Sequence, residues 1–156
     1  MKIFYICTHN RCRSILSEAI SNQLGNGIIQ AFSAGSQPAG EVHPLSIKYL
    51  AVKGYSVKGL RSQSWDEFES EQPDIVITVC DSAAEETCPT RFGNTIKVHW
   101  PLADPSKLKG SEQDIENAFF DAINTIEQRV QKLLAIDFDN LPAQDKQSAI
   151  QRITLS

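Results

Sequence analysis

Residues 3–14 read Ile3-Phe4-Tyr5-Ile6-Cys7-Thr8-His9-Asn10-Arg11-Cys12-Arg13-Ser14. An apolar run of strand length ends on a cysteine, and a short polar loop leads straight into an amphipathic helix. Five residues separate Cys7 from Arg13, so one thiol and one guanidinium bracket a single turn of chain. A loop feeding a helix N-terminus points successive backbone N–H groups inward and makes a cradle for a tetrahedral oxyanion. The same field favours thiolate over thiol, so Cys7 is expected to have a lowered pKa and to serve as a nucleophile. Arg13 brings a planar fork of donors for two of the anion's oxygens. Ser14 is placed to hydrogen-bond the thiolate.

Outward from this stretch, strands and helices alternate. Residues 2–6 are expected as a buried strand and 13–24 as a helix, with Ile15, Leu16, Ala19, Ile20 and Leu24 at helical spacing and Gly25 and Gly27 as the stop. A second strand fits 28–33, and a second helix opens at Pro44 and closes at Gly54. The polar stretch 59–72 holds a short helix at 65–69. Strands follow at 74–79 and 95–100, and a long helix at 112–134 is capped by Ser111 with Asp114 three residues on. Such alternation means right-handed crossovers and a parallel sheet sandwiched between helices. Ligands of these sheets sit at the carboxyl ends of strands, where the strand order reverses. Cys7 and Cys80 both lie at such ends.

Composition narrows the class. With 156 residues, 41% hydrophobic and 22% charged, the chain is expected to be one soluble globular domain. That domain is placed at 1–136, followed by a polar tail, 137–156, with a short helix after Pro142 and no chemistry of its own. A net charge of −4 argues against nucleic acid or an acidic membrane as partner, so an oxyanion needs local positive charge, which His9, Arg11 and Arg13 supply. No stretch has transmembrane length and no signal peptide is evident, which points to the cytoplasm. The four cysteines, Cys7, Cys12, Cys80 and Cys88, then suggest catalysis, redox chemistry or metal rather than structural disulfides.

Each candidate has a plainer alternative. A cysteine closing an apolar strand is usually a small buried hydrophobe, but the whole Cys-x5-Arg-Ser unit argues against that for Cys7. Cys12 is either packing on the far side of the loop or a second chemical group. Cys80 and Cys88 are a redox pair, two buried residues or two metal ligands. Seven intervening residues do not make a zinc knuckle, and only His99 lies near in sequence as a further ligand. His43 is expected at a helix start or on the surface, and Trp65 in the core or a lid. Asp104-Pro105 is a turn or the acid that an oxyanion cradle with a thiolate needs for the departing oxygen.

Together, the 7–14 stretch, Ser33-Ala34-Gly35 and Asp104-Pro105 resemble the low-molecular-weight tyrosine-phosphatase superfamily. The segment from Val79-Cys80-Asp81 to Thr87-Cys88-Pro89 resembles its arsenate reductase branch. The resemblance covers about residues 1–134. It implies an α/β three-layer sandwich with a four-stranded parallel sheet of order 2-1-3-4. It also implies that Thr8, His9, Asn10, Arg11, Cys12, Arg13 and Ser14 surround the oxyanion, with Asn10 bracing the loop, Cys7 as nucleophile and Asp104 as general acid. Cys80 and Cys88 would complete a disulfide relay that reduces arsenate, with phosphate and sulfate as competing oxyanions. Thioredoxin, or glutaredoxin with glutathione, would return the electrons; no cofactor or metal is expected, and the chain is expected to be a monomer.

Two departures accompany the resemblance. Branch members that bind potassium use a loop carboxylate beside residues matching Asn10, Glu18 and Ser33, and Ser64 stands where that carboxylate is expected. The Cys80–Cys88 spacing is also slightly long. Two other functions are weighed: a phosphotyrosine phosphatase, disfavoured because Ser106 rather than an aromatic residue follows Asp104-Pro105, and a non-catalytic oxyanion- or metal-binding module.

Overall fold

The computed structural model describes residues 1–68, 72–79 and 95–155. Its centre is β1 (Lys2–Ile6), whose apolar run is buried on both faces. On one side β1 pairs in parallel with β2 (Gln30–Ala34), on the other with β3 (Ile75–Thr78), and β4 (Ile96–His99) adds beyond β3. The sheet order is 2-1-3-4, as the resemblance implied, so the order reverses between β1 and β3. The register places Ile6 against both Ala34 and Thr78, which brings the exits of three strands to one rim.

Side chains alternate across a strand, and β1 uses both faces. The Tyr5 hydroxyl meets Ser21 Oγ at 2.7 Å on α1 (Arg13–Leu24). Phe4, from the opposite face, makes edge contacts with Phe32 and with Phe68 of the 3-10 turn Trp65–Phe68. Helix α2 (Pro44–Val52) begins at the expected proline. Helix α3 (Glu112–Leu134) carries its buried stripe at Phe119, Ala122, Ile123, Ile126, Val130 and Leu133. Its start is the expected capping box, Ser111 and Asp114 each bonding the other's backbone.

Two differences from the sequence reading have physical causes. β2 starts at Gln30 rather than 28, because the chain is still reversing out of α1. Ile28 and Ile29 both donate to the Gly25 carbonyl, and Gly27 takes a left-handed φ of 80°. The segment after 136, expected as a polar tail with a short helix after Pro142, has that helix, α4 (Ala143–Gln151), and a closing 3-10 turn, but it packs on the body of the protein and adds Ile150 and Ile153 to the core. Two isoleucines are too few to give the segment a readable apolar stripe, yet both are buried.

Candidate active site

Cys7 directly follows β1, and the loop it opens is shaped largely through its carbonyls. The Cys7 N–H donates to Ala34 O at 3.2 Å, while Thr8 O, His9 O and Arg11 O accept from the N–H groups of Gln37, Ala39 and His43, each at 2.9 Å. Ser62 Oγ adds a bond to His9 O at 3.2 Å. The C=O and N–H of one peptide point in opposite directions, so these bonds turn the N–H groups of His9, Asn10 and Cys12 toward the other side of the loop. Residues 35–43 therefore act as a strap behind the cradle. Gly35 lets them approach: a Cβ there would lie 2.5 Å from Thr8 O and 2.6 Å from Cys7 O.

Asn10 pins the loop from within. It is fully buried and takes a φ of 47°, a left-handed conformation that Asn tolerates better than most residues. Its Nδ2 donates to Ser14 Oγ at 2.8 Å, and its Oδ1 accepts from Gln63 N at 2.8 Å. Ser14, expected to face the thiolate, thus has its hydroxyl accepting from Asn10. Cys12 is the N-cap residue of α1 without a side-chain cap, and its thiol lies beside Ser46. Burial pushes its pKa up to about 11, which favours the packing role among the two weighed.

Arg13 reaches across to the segment after β4. Its Nη1 donates to Leu102 O at 3.1 Å and its Nη2 lies 3.6 Å from Asp104 Oδ2. Its Nε is buried without a hydrogen-bond partner among the described residues, a donor poised for an anion's oxygen. Asp104 Oδ1 accepts from Ser106 N at 2.9 Å and from Ser106 Oγ at 2.6 Å, capping the 3-10 turn Pro105–Lys107. The turn and the carboxylate beside Arg13 are therefore one feature, and the two accounts of Asp104-Pro105 do not compete. His9 and Arg11 are exposed, with His9 Nδ1 3.1 Å from Gln37 O. Cys80 and Cys88 lie outside the described residues.

The residues tied to potassium by resemblance do gather. Ser33 Oγ donates to Glu18 Oε1 at 2.9 Å, and burial pushes the Glu18 carboxyl up to about 7. Gln63 Nε2, however, donates to Ser33 O at 3.0 Å, and Asn10 Oδ1 is already bonded by Gln63 N. Ser64 turns away, its N–H donating to Glu67 and its Oγ accepting from Asp66 N. The oxygens offered to an ion are thus engaged internally and the second carboxylate is missing, so the set does not fit the ion. Among the described residues, no group of three or more His, Cys, Asp or Glu side chains is placed to hold a metal.

Sequence reasoning missed several parts of this site. Gln63, Leu102 and Ser46 touch its named residues from 53, 89 and 34 positions away, and Ser106, noted in the sequence only for not being aromatic, bonds the Asp104 carboxylate. His43 caps α2 as expected, its Nδ1 accepting from Leu45 N at 3.2 Å. It also stands within the field of Arg11 and Asp104: burial and Arg11 lower its pKa, and Asp104 opposes them. Pro44 after it was the available signal for the cap; nothing local signalled the site.

A thiol at a strand exit, a strapped loop opening a helix and an arginine shared with an aspartate define an oxyanion-handling site on a doubly wound sheet. The chain belongs to the low molecular weight phosphotyrosine protein phosphatase family, whose pattern matches residues 2–147. Within that family it is similar to proteins named arsenate reductase. The Staphylococcus xylosus protein is 33% identical over 110 residues, 70% of this chain and 82% of that one. The Halalkalibacterium halodurans protein is 30% identical over 112 residues, 72% of this chain and 79% of that one. A solved arsenate reductase in a phosphate-binding state superimposes with a TM-score of 0.72 at 27% identity, covering 86% of this chain and 96% of the other.

Proposed function

We propose that this protein reduces arsenate to arsenite, with Cys7 as nucleophile and Cys80 and Cys88 as a disulfide relay. The observation that carries the reading is the rim shared by β1 and β3. Val79 N donates to Ile6 O at 3.1 Å, so the residue before Cys80 in sequence is bonded to the residue before Cys7. A phosphatase uses the first cysteine and the acid alone, and would leave the other two idle.

Arsenate enters the cradle formed by the Thr8–Ser14 backbone and Arg13. The Cys7 thiolate attacks arsenic and displaces one oxygen as hydroxide, which Asp104 protonates to water. Cys80 then attacks the Cys7 sulfur as thiolate. A sulfur–sulfur bond forms, the sulfur–arsenic bond breaks, and its electron pair stays on arsenic, which leaves as arsenite. Two thiols have lost two electrons and As(V) has become As(III). Cys88 exchanges with Cys80, freeing Cys7 and moving the disulfide to Cys80–Cys88, where an external dithiol such as thioredoxin, or glutathione with glutaredoxin, restores it. No helix among the described residues is long and apolar enough to cross a membrane. We place the enzyme in the cytoplasm as a monomer, with phosphate and sulfate competing for its cradle.

Single-turnover arsenite yield with disulfide mapping tests the scheme. Cys80→Ser should lose arsenate reduction, whereas Cys88→Ser should release about one arsenite per enzyme and stall as a Cys7–Cys80 disulfide. Full multiple turnover in Cys80→Ser would remove the relay. Aryl phosphate hydrolysis as the dominant activity would favour the phosphatase.

A further inference from the structure

We propose that the C-terminal helix α4 positions the general acid, with Gln151 as the principal positioning residue. This inference rests on the role given to Asp104 above. β4 is the outer strand of the sheet, and its inner edge is used by Ile96 N and Trp100 N, which donate to Asp74 O and Thr78 O of the β3 side. Lys97 and His99, which alternate with the inward-facing residues, turn their backbone groups to the outer edge, where a fifth strand would pair. Two glutamines of α4 occupy that edge instead. Gln147 Nε2 donates to Lys97 O at 3.0 Å. Gln151 Nε2 donates to His99 O at 2.7 Å while its Oε1 accepts from His99 N at 3.0 Å.

The match is one of repeat lengths. Residues four apart on a helix are spaced about 6 Å along its axis, and residues two apart on a strand about 6.6 Å. One helical turn therefore carries amides at the interval at which an edge strand presents its carbonyls. Gln151, giving and accepting with one residue, reproduces the bond pair of a neighbouring strand. Just past it, the buried Trp100 indole donates to Ile150 O at 3.1 Å and so satisfies a carbonyl in the last turn of α4.

Trp100 is where the strand's edge contacts hand over to the loop that carries the acid. Four residues later stands Asp104, and the span between is held at Trp100 O by Arg129 Nη1 at 3.3 Å and at Leu102 O by Arg13. The C-terminal clamp sets where β4 ends, and hence where the carboxylate sits relative to Arg13.

The test uses the full chain with Gln151→Leu and, separately, Trp100→Phe, which keeps an aromatic ring in the core while removing the indole donor. Three readouts are needed: single-turnover arsenite formation, phosphate protection of Cys7 against alkylation, and amide hydrogen exchange. Each variant should slow arsenite formation about tenfold, the scale of a sub-ångström misplacement of a reacting group. Phosphate protection should stay within about twofold, because the cradle side is untouched. Exchange should quicken at 102–104 and not at 8–13. Gln151→Glu, which retains the acceptor for His99 N, should fall between wild type and Gln151→Leu. Unchanged arsenite formation and unchanged exchange at 102–104 would overturn the proposal, as would an equal loss of phosphate protection. Asp104→Asn is the control: if it does not slow the reaction, the acid assignment fails, whereas the exchange result still decides whether α4 holds the loop.

Discussion

The loop from Cys7 to Arg13 and the loop from Trp100 to Asp104 face each other across one arginine, and they are held by different means. The first hangs on backbone: carbonyls of Thr8, His9 and Arg11 bonded to the strap, and a buried Asn10 in a left-handed conformation. The second hangs mainly on side chains, the guanidinium groups of Arg13 and Arg129 and the indole of Trp100. Backbone bonds bring little side-chain entropy to lose and fix a geometry tightly; long side chains hold a loop with more play. The contrast suits the chemistry. The cradle must present several N–H groups to one anion, while the acid need only deliver a proton over a short distance.

The comparison breaks most sharply at Asp104. Asp104→Asn should slow arsenite formation by about 10²–10⁴-fold, the usual range for a lost general acid. Phosphate protection of Cys7 should hold or improve, since a negative charge beside Arg13 is removed. A parallel loss of phosphate affinity would mean that the two loops are not separable.

Gly35→Ala attacks the other side and should give the opposite signature. Its new Cβ would press on the Cys7 and Thr8 carbonyls, and backbone cannot swing aside as a side chain can. Overpacking of this kind costs about 1–3 kcal/mol. Reaction rate and phosphate protection should fall together, by about tenfold to a hundredfold. Thermal unfolding and Cys7 alkylation with and without phosphate would show it. A loss of rate alone, with protection intact, would contradict the backbone account of the cradle.

The same contrast explains what was legible from sequence. The strand–loop–helix unit was readable because its signals are local: an apolar run, then Ile15, Leu16, Ala19 and Ile20 at helical spacing. The capping box of Ser111 and Asp114 was readable for the same reason. The sheet order came through resemblance, not periodicity, whereas Asp104 was already weighed as a turn or an acid from its place after the fourth strand. What stayed hidden are contacts between distant residues with no patterned type: Gln63 on Asn10, Leu102 on Arg13, and the α4 glutamines on β4. A glutamine in a polar segment reads as solvent-facing, because nothing in its neighbourhood announces a strand edge. His43 was expected at a helix start or on the surface; it caps α2, and its place beside the site was not foreseen.

The smallest expected effect belongs to the second cysteine of the loop. Cys12 is almost fully buried beside Ser46, and its pKa, raised to about 11, leaves it a thiol at neutral pH. Cys12→Ser should therefore keep arsenite formation within about threefold of wild type, since packing and not thiolate chemistry is lost. Alkylation gives the direct check. In a variant where Cys7, Cys80 and Cys88 are all serine, Cys12 should react at pH 8 at least about a hundredfold more slowly than a small free thiol, from its lower thiolate fraction alone. Stability supplies the sign. The folded pKa is raised from 9.0, so Cys12 contributes stability that is whole below pH 9 and is lost as pH rises toward 11, because the unfolded thiol ionises first. The full swing is about 3 kcal/mol. Unfolding in denaturant at pH 8 and pH 10.5 should show wild type losing more stability over that interval than Cys12→Ser does. Equal slopes, or rapid alkylation of Cys12 at pH 8, would make it a reactive thiol of the cradle and return it to the chemistry beside Cys7.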